Sequence, residues 1–142
     1  MSQHHERVAV LMGGWTAEAS VSRVSASFCG QAARNAGWDA VEIEVGRDIA
    51  TTLAEFKPNR VFNALHGQIG EDGNIQGLLN IMNIPYTHSG VTASAIAMDK
   101  ILAKTMLAGC GIVVPPTLPL VEDTHVYPEN YRDAHVIKPQ NY

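Results

Sequence analysis

In two places in this 142-residue chain, an apolar run is followed directly by residues whose types could carry out chemistry. In the first, Val61-Phe-Asn-Ala-Leu65 is followed by His66 and by Gly67-Gln-Ile-Gly-Glu-Asp-Gly73. A histidine exchanges protons near neutral pH, and glycines let the backbone approach a ligand closely. Taken alone, this segment fits a ligand site and an ordinary strand-to-helix loop with a surface histidine equally well.

The second segment is Gly13-Gly-Trp-Thr-Ala-Glu18, which follows the apolar run 8–12. It matches neither the dinucleotide-binding nor the P-loop motif. Glu18 lies near a predicted helix start, where the helix dipole stabilises a carboxylate. It either has only that role or binds a cationic group such as an ammonium. The second reading gains support if His66 ends the neighbouring strand, because both residues would then face one crevice.

Three lysines are candidates for binding phosphate. Lys100 and Lys104 are four residues apart on one helical face, an arrangement that usually forms a solvated surface. Lys138 follows the apolar pair Val136-Ile137. A lysine at a strand end either extends its charge to water or holds a phosphate, and the residues alone leave both readings open.

The elements that must position these residues alternate between strand and helix. Strands are predicted at 8–12, 40–45 and 61–65, with a brief one at 84–86. Helices are predicted at 17–36, 51–56, 75–82, 93–98 and 99–108, with Ser89 or Thr92 capping the fourth. The first helix places Val21, Val24, Phe28 and Ala32 on one face. This alternation predicts an α/β fold, a doubly wound domain with a mostly parallel sheet.

A change in pattern near Pro115-Pro116 suggests a second unit. The segments 117–121 and 135–137 are candidate strands of that unit. We therefore expect an N-terminal α/β domain at 7–98. Residues 99–142 are expected to form a connecting helix and the beginning of a further domain that is incomplete here.

The composition argues against several classes of function. The net charge is −4 and no basic run occurs, so nucleic-acid binding is not expected. No stretch of about 18 apolar residues exists, and the polar N-terminus lacks a signal peptide's apolar region. Cys29 and Cys110 have no metal-binding spacing, which favours a reduced, cytoplasmic protein with two packed thiols.

Considered together, four segments resemble the bacterial D-alanine–D-alanine ligases of the ATP-grasp superfamily. They are 8–22, 64–77, 84–100 and 136–139, in the family's order. The most specific are His66-Gly…Gly70-Glu-Asp-Gly73 and Ser89-Gly…Met98-Asp-Lys100. The resemblance extends from Arg7 to Pro139. It implies a Rossmann-like domain that precedes the ATP-grasp central domain, followed by the first strands of that central domain.

The resemblance implies a cytoplasmic enzyme that makes D-alanyl-D-alanine for peptidoglycan. ATP phosphorylates the carboxylate of one D-alanine, and the amine of a second attacks the acyl phosphate. By resemblance, Glu18 binds the ammonium of the first D-alanine, Val21 lines the same subsite, and His66 lies beside this substrate and the transferring phosphate. Lys100 and Lys138 correspond to the lysines that neutralise the ATP phosphates.

The resemblance also implies Mg²⁺ or Mn²⁺ as cofactor and a homodimer as partner. Three residues depart from the family pattern: Trp15 replaces a small hydroxyl residue, Ser20 a common acidic residue and Tyr142 a frequent glutamate. In the family the metal ligands and the adenine pocket follow the segment that ends at Pro139. We therefore expect the 142-residue chain alone to be inactive as a ligase.

Two alternatives remain. The chain could be a non-catalytic module that binds D-alanine weakly or self-associates. A different carboxylate–amine ligase of similar architecture is disfavoured by the His-Gly…Glu-Asp-Gly segment.

Overall fold

The computed structural model describes residues 6–117 together with Val136 and Lys138. Strands and helices alternate over the first two thirds of these residues. The elements are β1 (Arg7–Met12), α1 (Ala19–Asn35), β2 (Asp39–Glu44), α2 (Ile49–Phe56), β3 (Arg60–Asn63), α3 (Asn74–Ile81), α4 (Val91–Met98) and α5 (Lys100–Gly109). The predicted α/β class is confirmed. The candidate strands at 117–121 and 135–137 lie almost wholly outside the described residues.

The three described strands form a parallel sheet in the order β2-β1-β3. Val10 of β1 is paired with Glu42 on one side and Phe62 on the other. Beyond β3, the brief strand predicted at 84–86 is reduced to one parallel bridge between Tyr86 and Val61. Because β2 and β3 lie on opposite sides of β1, the winding reverses there. Open α/β sheets place their ligands at such a switch point, at the carboxyl ends of the strands.

Helices cover both faces of the sheet because alternate residues of a strand point in opposite directions. On one face, α1 packs against the even-numbered residues of β1. That core contains Val8, Val10, Ala26, Ala40 and Ala64. On the other face, α2 and α3 cover the odd-numbered residues. That core includes Ala9, Leu11, Ile43, Leu53, Val61, Ile75 and Leu79. The doubly wound arrangement is therefore confirmed.

The apolar face of α1 does not cover the sheet. Val21, Val24 and Phe28 are 56%, 59% and 73% exposed. The face against the sheet instead carries small residues spaced four apart, and it includes Ser22, Ala26 and Gly30. A Cβ at Gly30 would collide with the Glu42 carboxylate. Small residues on this face therefore allow α1 to lie close to β2. The apolar spacing predicted the helix correctly but did not identify its buried side.

Some of the helix ends follow local rules and others do not. Gly37 has a φ of +92° and follows the last turn of α1, as its position predicts. Asp99 caps α5 by accepting hydrogen bonds from the N–H groups of Ile101 and Leu102, each at 2.9 Å. The predicted cap of α4 was wrong. Gly90 occupies that position, and no side chain bonds the helix start.

The two thiols differ in environment. Cys29 is half-buried beside the α1 core, whereas Cys110 is exposed. The expectation that both thiols are packed was therefore wrong for Cys110, because α5 buries none of its residues. None of the helices within the described residues is long and apolar enough to cross a bilayer.

Candidate functional site

The crevice at the switch point opens where β1 and β3 separate. The ladder between them ends with the bond from Ala64 N–H to the Leu11 carbonyl, at 3.0 Å. Beyond it the buried hydroxyl of Ser22 fills the gap. Its Oγ accepts from the Gly13 N–H at 2.9 Å and donates to the Ala64 carbonyl at 2.8 Å. One side chain of α1 thus fixes the loop after β1 to the loop after β3.

Glu18 lies at the start of α1 and projects across this crevice. Its carboxylate occupies the space that a Cβ of Gly67 would fill. Gly67 is buried with a φ of +67°, a conformation that favours glycine. Within the described part of the chain, no hydrogen bond or ion pair reaches the Glu18 side chain. An exposed carboxylate without a protein partner, at a crevice, is suited to bind a cation such as an ammonium.

His66 follows β3 and lies directly before the glycine that Glu18 contacts. Its Nε2 is 3.0 Å from the Oγ of Ser25, which lies about two turns along α1 from Glu18. The imidazole is half-buried. The structure thus brings the two loops with the candidate residues together, and α1 contacts both.

The acidic residues of the glycine loop stabilise the loop itself. The Glu71 carboxylate accepts from the Gly67 N–H at 2.7 Å. Asp72 accepts from the N–H groups of Ile69 and Asn74 at 2.9 and 3.0 Å. These carboxylates therefore stabilise the loop that begins at Gly67, and Glu18 is left to face the crevice.

Two buried amides fix the centre of the same loop. The side chains of Asn63 and Gln76 each donate to the Gly70 carbonyl at 2.8 Å. A Cβ at Gly70 would collide with Leu65. The loop conformation is thus determined by its own polar groups and its glycines, before any ligand binds.

The other predicted site residues lie apart from these contacts. Val21 is on the first turn of α1, one turn after Glu18, with its side chain exposed. Lys100 begins α5, and Lys138 is exposed. Lys104 donates to the Thr117 hydroxyl. Phosphate binding by Lys100 and Lys138 stays a prediction.

The sequence did not identify two serines that contact the loops of the candidate site, Ser22 and Ser25. Both lie inside a helix, where serine is neutral to unfavourable unless its hydroxyl has a use. Two serines three residues apart inside a predicted helix were the available signal. Their partners, however, are about 40 residues away, at Ala64 and His66.

A separate cavity of about 490 Å³ lies among the loops at the same edge of the sheet. It is lined by Trp15, Arg47, Ile49 and residues of the segment 68–78. The Arg47 guanidinium lies 4.2 Å from the centre of the Trp15 ring. Neither Glu18 nor His66 lines this cavity, so it is distinct from the crevice.

No three His, Cys, Asp or Glu side chains among residues 6–117, Val136 and Lys138 are grouped so that they could hold a metal ion. The described residues therefore do not form a metal site.

The fold and the crevice define a class: an open, parallel α/β domain whose candidate site lies at its topological switch point. Comparison with known proteins specifies the family. The family model described as "D-ala D-ala ligase N-terminus" matches residues 31–89. A D-alanine–D-alanine ligase of Cereibacter sphaeroides is 50% identical over 133 residues, which cover 94% of this chain and 41% of that protein. One of Xanthobacter autotrophicus is 54% identical over 114 residues, or 80% of this chain and 36% of that protein.

Solved structures agree with these sequence relatives. A D-alanine–D-alanine ligase of Bacillus anthracis superposes with a TM-score of 0.74 at 30% identity, covering 86% of this chain and 40% of that one. The same enzyme complexed with ATP gives 0.71 at 30% identity, covering 88% and 43%. The chain matches the N-terminal part of the D-alanine–D-alanine ligase family. It spans about two fifths of the length of these relatives.

Proposed function

We propose that this chain supplies the binding site for the first substrate in the ATP-dependent ligation of two D-alanines to D-alanyl-D-alanine. The observation that carries the proposal is the free Glu18 carboxylate against Gly67, next to His66, at the switch point. Its match to this family supports the ligase activity, and the Bacillus anthracis relative was solved with ATP. The proposal places the enzyme in the cytoplasm, in peptidoglycan synthesis.

Each candidate residue has a distinct role in this proposal. Glu18 binds the ammonium of the first D-alanine, and the apolar side chain of Val21 packs against that substrate. His66 donates a hydrogen bond to the carboxylate of that D-alanine or to the transferring phosphate. Lys100 and Lys138 neutralise phosphates of ATP.

The chemistry has two steps. The carboxylate of the first D-alanine attacks the γ-phosphorus of ATP, so that an acyl phosphate forms and ADP leaves. The amine of the second D-alanine then attacks the acyl carbon, loses a proton and displaces phosphate. Charge neutralisation around the phosphates, which a divalent cation supplies when bound, assists the first step.

D-Alanine binding can be tested on the 142-residue chain itself. Titration of D-alanine into the ¹⁵N-labelled chain should shift amide signals of residues 17–21 and 65–67. The Glu18→Gln variant should lose these shifts, whereas Glu55→Gln, an exposed carboxylate of α2, should retain them. Shifts that map to the Trp15–Arg47 cavity, or that survive in Glu18→Gln, would contradict the proposed site.

The proposal also holds that the 142 residues do not ligate D-alanine without the segments that their relatives possess. ATP-dependent release of phosphate in the presence of D-alanine should therefore be absent with this chain. Turnover at the rate of a full-length relative would show that this part of the proposal is wrong.

A second candidate function is self-association, which the exposed stripe of α1 favours. Val24 and Phe28 are the most exposed apolar side chains of this stripe. The arginines of α1 lie on another side, where Arg23 and Arg34 bind Glu44 and Glu42. Two such stripes can therefore meet around a twofold axis without opposing like charges.

Sedimentation velocity over a range of concentrations tests this homodimer. We expect a dimer whose population rises with concentration and falls in Phe28→Ser. Glu55→Gln, at an exposed position of α2 on the other side of the sheet, is the control. A monomer at all concentrations, or a dimer unaffected by Phe28→Ser, would exclude α1 as the interface.

A further inference from the structure

The contact between Ser25 and His66 affects which nitrogen of the imidazole carries the proton. The Ser25 Oγ lies 3.0 Å from His66 Nε2, and both side chains are half-buried. No hydrogen bond to the other ring nitrogen, Nδ1, is found among the described residues. In neutral histidine one nitrogen carries the proton and the other accepts. The hydrogen bond made at one nitrogen therefore sets what the other can do.

The direction of this bond depends on whether the Ser25 hydroxyl proton has another acceptor. Hydroxyls inside helices commonly donate to the carbonyl four residues earlier. Thr105 does so here, to Ile101 at 2.8 Å, and Thr52 to Asp48 at 3.4 Å. Within the described residues, Ser25 makes no such bond to Val21. Its proton is therefore available to Nε2.

We propose that Ser25 is a positioning residue that donates its hydroxyl proton to His66 Nε2 and holds the neutral imidazole in the Nδ1–H tautomer. The site then presents a neutral N–H donor at Nδ1. Such a donor suits an anionic oxygen, from a carboxylate or a phosphoryl group. Only this last point, the identity of the ligand, rests on the proposed function.

The tautomer is measured directly by two-bond ¹H–¹⁵N correlation NMR of the imidazole in the labelled 142-residue chain, at a pH where His66 is neutral. The wild-type spectrum should show the Nδ1–H form. Ser25→Ala should convert His66 to the Nε2–H form that free histidine prefers. Ser27→Ala, an exposed serine of the same helix, should change nothing.

An Nε2–H pattern in the wild type, or the same tautomer in wild type and Ser25→Ala, would overturn the proposal. The wild-type spectrum alone decides the direction of the bond, so the test does not depend on how well the variant folds.

Kinetics separates this inference from the proposed function. In a full-length D-alanine–D-alanine ligase that carries these residues as its N-terminal part, Ser25→Ala should lower kcat about 2- to 10-fold, the effect of one neutral hydrogen bond. The KM for ATP should not change. If the tautomer is as expected but His66→Ala keeps full activity, the proposed role of His66 fails and the positioning by Ser25 stands. If His66→Ala lowers activity and Ser25→Ala does not, the tautomer has no catalytic consequence. The predicted loss of kcat in Ser25→Ala would then be wrong.

Discussion

At the scale of single residues, the crevice depends on Gly67 having no side chain. The Glu18 carboxylate lies where a Cβ would stand, and the backbone of Gly67 is left-handed. The Glu71 carboxylate fixes this glycine by accepting a hydrogen bond from its N–H. A substitution at this position therefore affects both the conformation of the loop and the position of Glu18, the residue proposed to bind the substrate.

Gly67→Ala should displace Glu18 and strain the loop. We expect a loss of about 1–2 kcal/mol of stability from the left-handed backbone alone, measured by urea unfolding. In a full-length ligase the KM for the first D-alanine should rise more than the KM for ATP. Gly90→Ala is the control, since its backbone is extended and a Cβ there meets nothing. Equal effects of the two substitutions would exclude the proposed contact.

Single residues also show what the sequence could predict. Glu18 and His66 were identified because a chemically active residue follows each of two apolar runs, and because their segments resemble those of the ligases. Ser22 was not identified, since nothing in a local pattern shows that its hydroxyl reaches Ala64, 42 positions away. Contacts of that length depend on how the helix is rotated on the sheet, and this rotation was misjudged.

At the scale of elements, α1 is placed by small and polar residues rather than by its apolar row. Ser22 joins two loops, Ala26 packs against the sheet, and Gly30 gives room to the Glu42 side chain. Apolar spacing predicts which face of a helix is buried only if burial is the sole use of apolar residues. Here the valines are exposed, and they are available to a ligand or to another molecule.

Removal of the Ser22 hydroxyl should loosen both loops of the crevice. Ser22→Ala leaves the Gly13 N–H and the Ala64 carbonyl without their partner inside the protein. The expected loss is about 1–3 kcal/mol, whereas Ser27→Ala should change stability by less than about 0.5 kcal/mol. Urea unfolding measures both. A neutral Ser22→Ala would mean that the hydroxyl does not fix the loops.

The pairing of α1 with β2 makes stability depend on pH. The hydrogen bond from Arg34 lowers the pKa of Glu42 below its ordinary value of 4.5. A carboxyl with a lowered pKa stabilises the fold above its unfolded-state pKa, and this contribution is lost as the pH falls through the folded-state pKa.

Glu42→Gln should therefore be less stable than wild type at pH 7, and the difference should shrink below pH 4.5. The effect is small, since both side chains are partly exposed. Glu55→Gln, on α2, should differ little from wild type at any pH. A difference for Glu42→Gln that stays constant or grows in acid would contradict the assigned ion pair.

At the scale of the whole molecule, the reversal of winding at β1 creates the site. It brings the loop after β1 and the loop after β3 to one edge, although they are about 50 residues apart in the chain. The strand–helix alternation predicted this architecture, because parallel strands require such crossovers. The division between residues 98 and 99 stays a prediction. The roles of Lys100 and Lys138 also stay predictions, since they concern contacts with ATP.

The central claim is that Glu18 binds the ammonium of the first D-alanine, and one kinetic comparison tests it most directly. In a full-length D-alanine–D-alanine ligase carrying these residues, Glu18→Gln should raise the KM for the first D-alanine about 10- to 100-fold, the loss of a charged hydrogen bond of roughly 1.5–3 kcal/mol. The KM for ATP should stay close to that of the wild type, and Glu55→Gln should leave both constants unchanged. An unchanged KM for D-alanine in Glu18→Gln would contradict the account.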